Sequence, residues 1–270
     1  MSEKLRADVA LVQAGLAESR EKAQALIMSG AVYRKEMKVL KASEPIANLD
    51  ELSVKGHAHP YVGRGALKLE KALRVFGADV QGKVAMDIGA ATGGFTDVLL
   101  QNRISHVYAI DVGYGQLDWK IRNHPDVTVM ERTNARYLTS EQIPLKPTLT
   151  VMDVSFISIK LILPVAAELM EHKGIFYVLI KPQFEAGREN VGKKGVVRDA
   201  SVHRDVVQSI VDFAPSFGYI VSQLDFSPIK GPEGNIEYLA EIKPNIGGIT
   251  GVDSARIAQV VQQAHDALVE

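Results

Sequence analysis

The chain has 270 residues, no cysteine and a single tryptophan. Without cysteine there are no disulfides, no thiolate metal sites and no cysteine nucleophile, which fits a reducing compartment. Long apolar runs are missing too: no uninterrupted stretch approaches the roughly 18 residues that a membrane-spanning helix needs. The opening M-S-E-K-L-R-A-D has no basic segment leading into an apolar core, so it does not read as a secretory signal. An excess of one charge is also absent. Lys and Arg number 31 against 32 Asp and Glu, for a formal net charge of −1, so any RNA contact must rely on local patches rather than a global field. His57 and His59 stand two residues apart with no third ligand nearby, so no metal is expected. What remains, 46% hydrophobic and 23% charged, is ordinary globular composition, long enough for one large domain or one large and one small. The expectation is a cytoplasmic monomer outside the membrane.

The most informative stretch is Lys83 to Thr96, K-V-A-M-D-I-G-A-A-T-G-G-F-T. An apolar run reaches a carboxylate at Asp87, a glycine-bearing loop follows from Gly89 to Gly94, and a helix-like segment begins at Phe95. Glycine lets a backbone turn sharply and lets a ligand approach closely, beside the free N–H groups of a helix start. A Walker loop would end in Gly-Lys-Ser/Thr, and a dinucleotide fingerprint would carry glycine where Ala91 stands, so neither fits. A second acid, Asp111, closes the next apolar run, V-Y-A-I-D. The pattern suits a ligand with an amine and a ribose but no phosphate, such as S-adenosylmethionine, with Asp111 accepting the ribose hydroxyls. An ordinary strand-turn-helix crossover without a ligand remains the alternative.

Residues 4 to 28 carry two helical stripes, Leu5, Val9, Val12 and Leu16, then Ala23, Leu26 and Ile27, with Ser19 as an N-cap between them and Gly30 as the stop. Val32 to Val54 reads as short strands and turns. Residues 1 to 43 hold eight basic residues against five acids, an excess that fits a solvated face as well as a binding one. Residues 55 to 66, K-G-H-A-H-P-Y-V-G-R-G-A, read as a hinge, and a helix runs from Lys68 to about Phe76. Strand-like and helix-like runs then alternate. Strands end at Asp87 and Asp111 and cover Val127 to Met130, Leu149 to Asp153 and Phe176 to Ile180; helices cover Phe95 to Gln101, the region near Trp119, Ile159 to Met170 and Val202 to Phe217. Such alternation means a mainly parallel sheet covered on both faces. Tyr219 to Phe226 and Ile236 to Ile242 break it as an antiparallel pair, and Ala255 to Leu268 is a last amphipathic helix. The fold class is therefore α/β, a seven-stranded mostly parallel Rossmann-like sheet with a terminal antiparallel hairpin, preceded by a small α+β module.

Ligands of such sheets bind beyond the carboxyl ends of the strands, where Asp87, Asp111, Asp153 and Lys181 all fall. A lysine directly after an apolar strand is costly unless paired or functional, and Asp153 is its natural partner. A structural ion pair explains the same two residues equally well. Lys68 and Glu237 read alone as surface charges.

Two resemblances sharpen these positions. L-R-A-D at Leu5 to Asp8, G-L-A-E-S-R-E-K-A at Gly15 to Ala23 and L-I-M-S-G-A-V at Leu26 to Val32 resemble the S4 RNA-binding domain, although Tyr33, Arg34, Lys35 and Glu36 stand where many such domains have an Asn-Gly turn. M-D-V-S-F-I-S, L-I-K-P-Q-F-E, G-V-V-R-D and K-G-P-E-G-N-I-E-Y resemble the TlyA family, which carries the haemolysin label and joins an S4 domain to a domain similar to FtsJ-type ribose 2′-O-methyltransferases. The match spans nearly the whole chain. G-A-A-T-G-G-F-T, G-R-G-A-L-K-L and Lys194 depart slightly from the family pattern, away from the catalytic positions. The resemblance implies an S4-like domain at 1–58, a linker at 59–66 and a SAM-dependent methyltransferase domain at 67–270. It implies a catalytic tetrad of Lys68, Asp153, Lys181 and Glu237, in which Lys181, beside the cation Lys68, accepts or stabilises the proton of a ribose 2′-hydroxyl. The donor site it implies comprises Asp87, Gly89, Ala90, Thr92, Gly93, Gly94, Phe95, Asp111, Asn134 and Asp153. RNA contacts are expected from Arg6, Arg20, Lys22, Arg34, Lys35 and Arg64, and from the long basic loop with Arg188, Lys193, Lys194 and Arg198, with Arg204 just beyond it. The implied substrate is cytidine in ribosomal RNA, free or in a subunit. The alternatives are a membrane-active haemolysin and a catalytically idle RNA-binding assembly factor.

Overall fold

The computed structural model describes residues 4–28, 30–35, 37–54 and 59–269, and the chain divides into two compact units, Met1–Arg64 and Gly65–Glu270. His57, with the start of the expected hinge, lies outside the described residues.

The first unit runs β1 (Leu5–Arg6), α1 (Ala7–Gln13), α2 (Arg20–Met28), β2 (Val32–Arg34), β3 (Met37–Lys38), β4 (Pro45–Ile46) and β5 (Leu52–Val54). The first helix is shorter than its apolar stripe because Leu5 and Arg6 are extended and pair with Ile46 and Pro45. Ser19 Oγ accepts the Lys22 N–H at 3.2 Å, an N-cap for α2. Strand β2 is central to a small sheet ordered β3-β2-β5, and Lys35 takes φ +54° in the turn toward β3. Ala10, Leu11, Ile27, Val32 and Ile46 fill the core between the helices and these strands.

The second unit runs α3 (Ala66–Val75), β6 (Val84–Ile88), α4 (Gly94–Gln101), β7 (His106–Ile110), α5 (Trp119–Arg122), β8 (Val127–Met130), β9 (Leu149–Met152), α6 (Leu163–Leu169), β10 (Ile175–Ile180), α7 (Pro182–Glu185), α8 (Ala200–Phe213), β11 (Tyr219–Phe226), β12 (Tyr238–Pro244) and α9 (Ser254–Leu268). The seven-stranded sheet is ordered β11-β12-β10-β9-β6-β7-β8. Strands β6 to β10 are parallel to their neighbours among themselves, whereas β12 lies antiparallel between β10 and β11. Every residue of β9 is buried, as expected for a parallel strand covered on both faces. From β6 the chain steps outward through β7 and β8, then returns to β9 on the other side of β6. That reversal is a topological switch point, and it opens a crevice at the carboxyl ends of β6 and β9.

Two expected helices are interrupted, each at a proline. The segment 159–170 forms a 3₁₀ turn (Ile159–Leu161) and then α6, whose first turn holds Pro164, the position where a missing N–H costs nothing. The segment 202–217 becomes α8 followed by a 3₁₀ turn through Pro215, which ends at Gly218 with φ +84°.

Candidate active site

Four elements deliver Lys68, Asp153, Lys181 and Glu237 to one place. Lys68 projects from α3, Asp153 follows β9, Lys181 follows β10 and Glu237 precedes β12. Lys68 Nζ donates to Glu237 Oε2 at 2.5 Å and to Asp153 Oδ2 at 3.4 Å. Lys181 Nζ stands 2.5 Å from Asp153 Oδ1 and 3.2 Å from Ser155 Oγ. The result is a linked row, Glu237, Lys68, Asp153, Lys181, in which carboxylates and ammonium groups balance. Burial of Lys68 opposes its charge, but Asp153 and Glu237 outweigh that and hold its pKa above the ordinary lysine value. Glu237 is fully buried, and its Oε1 accepts no hydrogen bond among the described residues.

The loop after β6 passes directly against this row. Gly89 has φ +85°, and a Cβ there would stand 2.5 Å from the Asp153 carbonyl oxygen, so only glycine fits without displacing the end of β9. The Gly89 and Ala90 N–H groups both reach the Ile110 carbonyl, at 2.9 and 3.1 Å. Asp111 accepts from Ala91 N–H (2.8 Å, Oδ2) and Gly113 N–H (2.7 Å, Oδ1), which fixes its carboxylate at the rim of a cavity of about 510 Å³. Gly89, Asp111, Asn134 and Asp153 line that cavity, together with Val112 and Gln116, which sequence reasoning missed.

The other expected donor-site residues sit around the cavity rather than on its wall. Gly93, at φ +90°, packs on Leu117 and Ile121; Gly94 and Phe95 are buried in the first turn of α4; Ala90 is buried; and the Thr92 carbonyl accepts from Asp118 N–H. Asp87 lies beneath the loop. Its Oδ2 accepts from Thr96 Oγ1 at 2.6 Å, its Oδ1 accepts no hydrogen bond among the described residues, and burial pushes its pKa up to about 7.

A second opening, a cleft of about 760 Å³, is lined by Lys181, Glu237, Ser155, Phe156, Phe184 and Arg188 among others. Ser155 and Phe156 line both openings and so form the wall between them. Phe156 has φ +63°, is 92% exposed, and its ring centroid lies 5.1 Å from that of Phe184. Arg188 reaches the cleft, whereas Lys193, Lys194 and Arg198 are exposed along the following loop without lining it. Asn235 holds that loop, accepting Val197 N–H at 3.0 Å and donating to the Gly195 carbonyl at 2.8 Å. Arg204 lies in α8.

In the first unit, Arg6 and Arg20 both bind the buried Asp8, at 3.0 and 3.1 Å, and Gln24 adds a hydrogen bond at 2.9 Å. Arg6, foremost among these, holds the Asp8 carboxyl far below the usual carboxylate range. Lys22 pairs with Glu18 and Lys35 with Glu51, while Arg34 is half-buried and Arg64 exposed. Asp8 carried no signal in the sequence beyond its place in L-R-A-D. Among the described residues no group of three or more His, Cys, Asp or Glu could hold a metal ion, and no helix is long and apolar enough to cross a membrane.

Comparison with known proteins adds independent findings. Residues 61–262 match the model of the FtsJ-like methyltransferase family. The chain is 39% identical over 272 residues to the 16S/23S rRNA (cytidine-2'-O)-methyltransferase TlyA of Mycobacterium tuberculosis, covering 100% of this chain and 99% of that one. It is 40% identical over 237 residues to Hemolysin A of Brachyspira hyodysenteriae, covering 87% of this chain and 98% of the relative. A solved structure from Streptococcus thermophilus, provisionally called a hemolysin, matches with a TM-score of 0.78 and 43% identity over 99% of this chain and 98% of that one.

Proposed function

This chain belongs to the FtsJ-like methyltransferase family, and from that premise we propose that it moves a methyl group from S-adenosylmethionine to a ribose 2′-hydroxyl of ribosomal RNA, with cytidine as the target nucleotide. The observation that carries this reading is the placement of the lysine–carboxylate row where two openings share one wall. One opening has the chemistry of a donor site. Asp111 presents carboxylate oxygens, each with capacity beyond its backbone N–H bond, to a pair of vicinal hydroxyls. The glycine at position 89 keeps the loop close to Asp153 and the cavity open.

When bound, S-adenosylmethionine supplies a sulfonium methyl, an electrophile that needs no further activation. The chain must supply alignment and a proton acceptor, because a ribose hydroxyl is a poor nucleophile while it keeps its proton. Lys181 Nζ, on the floor of the second cleft, is the group that takes up or stabilises that proton. Asp153 orients it from 2.5 Å away. With Lys181 as a neutral amine, Asp153 and Glu237 outnumber the one remaining ammonium, Lys68, so uptake of the proton restores neutrality and is electrostatically favoured. Arg188 at the cleft, the exposed Lys193, Lys194 and Arg198, and the Arg6 and Arg20 pair of an S4-like first unit supply the phosphate contacts. The rRNA-modifying name of the Mycobacterium tuberculosis relative agrees with this reading, under which the chain works in the cytoplasm with its ribosomal substrate.

The test is transfer of labelled methyl to naked rRNA and to isolated ribosomal subunits from cells lacking the activity. Wild type is expected to label ribose. Lys181→Ala is expected to lose labelling and keep its affinity for S-adenosylmethionine, whereas Asp111→Ala is expected to lose that affinity. Full turnover by Lys181→Ala removes the assigned base; absence of label on every RNA overturns the function.

A further inference from the structure

The turn after Lys181 and the loop after Asp153 are joined by successive side-chain contacts. Lys181 reaches Asp153 and Ser155, the Phe184 ring meets the Phe156 ring, and Glu185 closes the series. Glu185 Oε2 accepts from Ser158 Oγ at 2.6 Å, and its Oε1 accepts from Ile159 N–H at 2.8 Å. Glu185 touches neither opening; its carboxylate is spent wholly on the far end of the loop.

That far end matters because of what lies in between. Phe156 sits in the left-handed region, which costs a side-chain-bearing residue about 1–2 kcal/mol and persists only where the surroundings over-determine it. Its ring is almost fully exposed, so burial does not hold it there. The backbone conformation is therefore imposed by the ends of the segment. At the near end Asp153 is gripped by Lys68 and Lys181, and Asp153 N–H bonds the Ile88 carbonyl. At the far end the grip is Glu185.

We propose that Glu185 is a positioning residue for methyl transfer, anchoring Ser158 and Ile159 so that Ser155 and Phe156 remain the wall between the donor cavity and the acceptor cleft. The inference rests on the proposed methyltransferase function and assigns within it a group that contacts neither substrate. Burial pushes the Glu185 carboxyl up in pKa against the opposing pull of Ser158 and Ile159. A carboxylate kept in such a place is consistent with a demand for two acceptors at one point. Release of the anchor lets the wall drift, and misplacement by about 1 Å in a site of this kind costs up to about 100-fold in rate.

The experiment compares wild type, Glu185→Ala and Glu185→Gln in the methyl-transfer assay, with Tm, Kd for S-adenosylmethionine and KM for RNA measured beside kcat. In Glu185→Ala, kcat is expected to fall by about tenfold or more at a temperature where the protein is folded, with KM for RNA and donor affinity within about threefold of wild type. Glu185→Gln is expected to keep at least about half of kcat, because its Oε1 accepts from Ile159 N–H while its Nε2 donates to Ser158 Oγ, the hydroxyl reversing its role. A merely structural cap would lower Tm and leave kcat of the folded protein alone. Folded Glu185→Ala with wild-type kcat, or Glu185→Gln as impaired as the alanine variant, overturns the proposal. Should Glu185→Ala not fold, Ser158→Ala removes one of the two contacts from the other side and is expected to lower kcat by about threefold, a partial loss of the same alignment; unchanged kcat there overturns it equally. Wild type is the internal reference: if it labels no RNA, the function itself fails, whereas active wild type beside fully active Glu185→Ala defeats only the positioning role.

Discussion

Removing Lys68 should unfold this protein more readily than removing Lys68 and Glu237 together. Glu237 is fully buried, and among the described residues its Oε1 accepts nothing, so the contact of Oε2 with Lys68 Nζ at 2.5 Å is the one side-chain hydrogen bond it makes there. Lys68→Met keeps the apolar length of the side chain but strands this carboxylate, and breaking a buried pair in that way costs about 3–5 kcal/mol. Glu237→Gln is milder, because Lys68 keeps Asp153 at 3.4 Å; the loss of one charge-assisted bond is worth about 1.5–3 kcal/mol. The double variant leaves a neutral amide in place of the stranded charge, and an unsatisfied neutral group costs about 1–3 kcal/mol. The double should therefore be less destabilised than the sum of the singles by about 2 kcal/mol or more, a coupling within the range of contacting residues. Urea unfolding of the full chain, followed by far-ultraviolet circular dichroism, measures the cycle. Trp119, the single tryptophan, is 78% exposed and would report the transition poorly. All three variants should lose methyl transfer, which separates stability from catalysis. A cost below about 1 kcal/mol for Lys68→Met, or strict additivity in the double, would refute a dry pair and mean that water reaches Glu237.

Gly89→Ala adds a Cβ 2.5 Å from the Asp153 carbonyl at φ +85°, so it pays about 1–2 kcal/mol of backbone strain and also displaces the chain just after β9. Titration with S-adenosylmethionine should show binding lost while circular dichroism shows a folded chain, and wild-type affinity would contradict the close approach. Asp87 gives a pH signature of unusual sign. Its folded pKa is raised from 3.8 to about 7, so between those values the native chain keeps a proton that the unfolded chain has released. Its contribution to stability is fully present below the unfolded pKa and is lost as pH climbs through that window, at up to about 1.4 kcal/mol per pH unit. Asp87→Asn removes this dependence, so its stability relative to wild type should rise from pH 5 to pH 7 and then level off; a difference independent of pH would sink the reading.

Much of the fold was legible because the physics is local. Val127–Met130 and Tyr219–Phe226 occur with the bounds read from their apolar patterns, and the alternation of strands and helices gave the parallel sheet. Two helix boundaries shifted at Pro164 and Pro215, where an apolar stripe continues through a point that a regular helix cannot cross, and the first helix starts late because Leu5 and Arg6 pair as a strand. The strand-end positions of Asp87, Asp111, Asp153 and Lys181 were legible, but the structure puts Asp111 and Asp153 on one cavity, Lys181 on the adjoining cleft and Asp87 beneath the loop, while Lys68 and Glu237 were visible only through family resemblance, since neither ends a parallel strand. The loop from Thr92 to Phe95 shows the opposite limit. Its glycines read as ligand contacts, whereas in the structure Gly93 packs on Leu117 and Ile121, and it is Gly89, earlier in the turn, that lies against Asp153. Glu185 and Asp8 were silent because their worth lies in what they hold. Glu185 bonds residues 26 and 27 positions away, and Asp8 is recognisable as a bracket for Arg6 and Arg20 only once the chain has folded.

These observations explain why a row of four charges is tolerated in a largely buried place. The carboxylates and ammonium groups balance when both lysines are protonated, so the resting site carries no net burden, and Lys68 in particular is held charged by its two partners. In the proposed mechanism Lys181 gives up that balance before the hydroxyl arrives and regains it as the proton transfers. On that mechanism the proton leaves from the acceptor side, because Lys181 lines the cleft and not the donor cavity. On that proposal the wall of Ser155 and Phe156 separates two routes as well as two ligands, the methyl donor on one side and the proton and RNA on the other. On the proposal that Glu185 anchors this segment, the site depends on the shape of a short exposed stretch as much as on its charges, and the left-handed backbone at Phe156 belongs to it alongside Lys181.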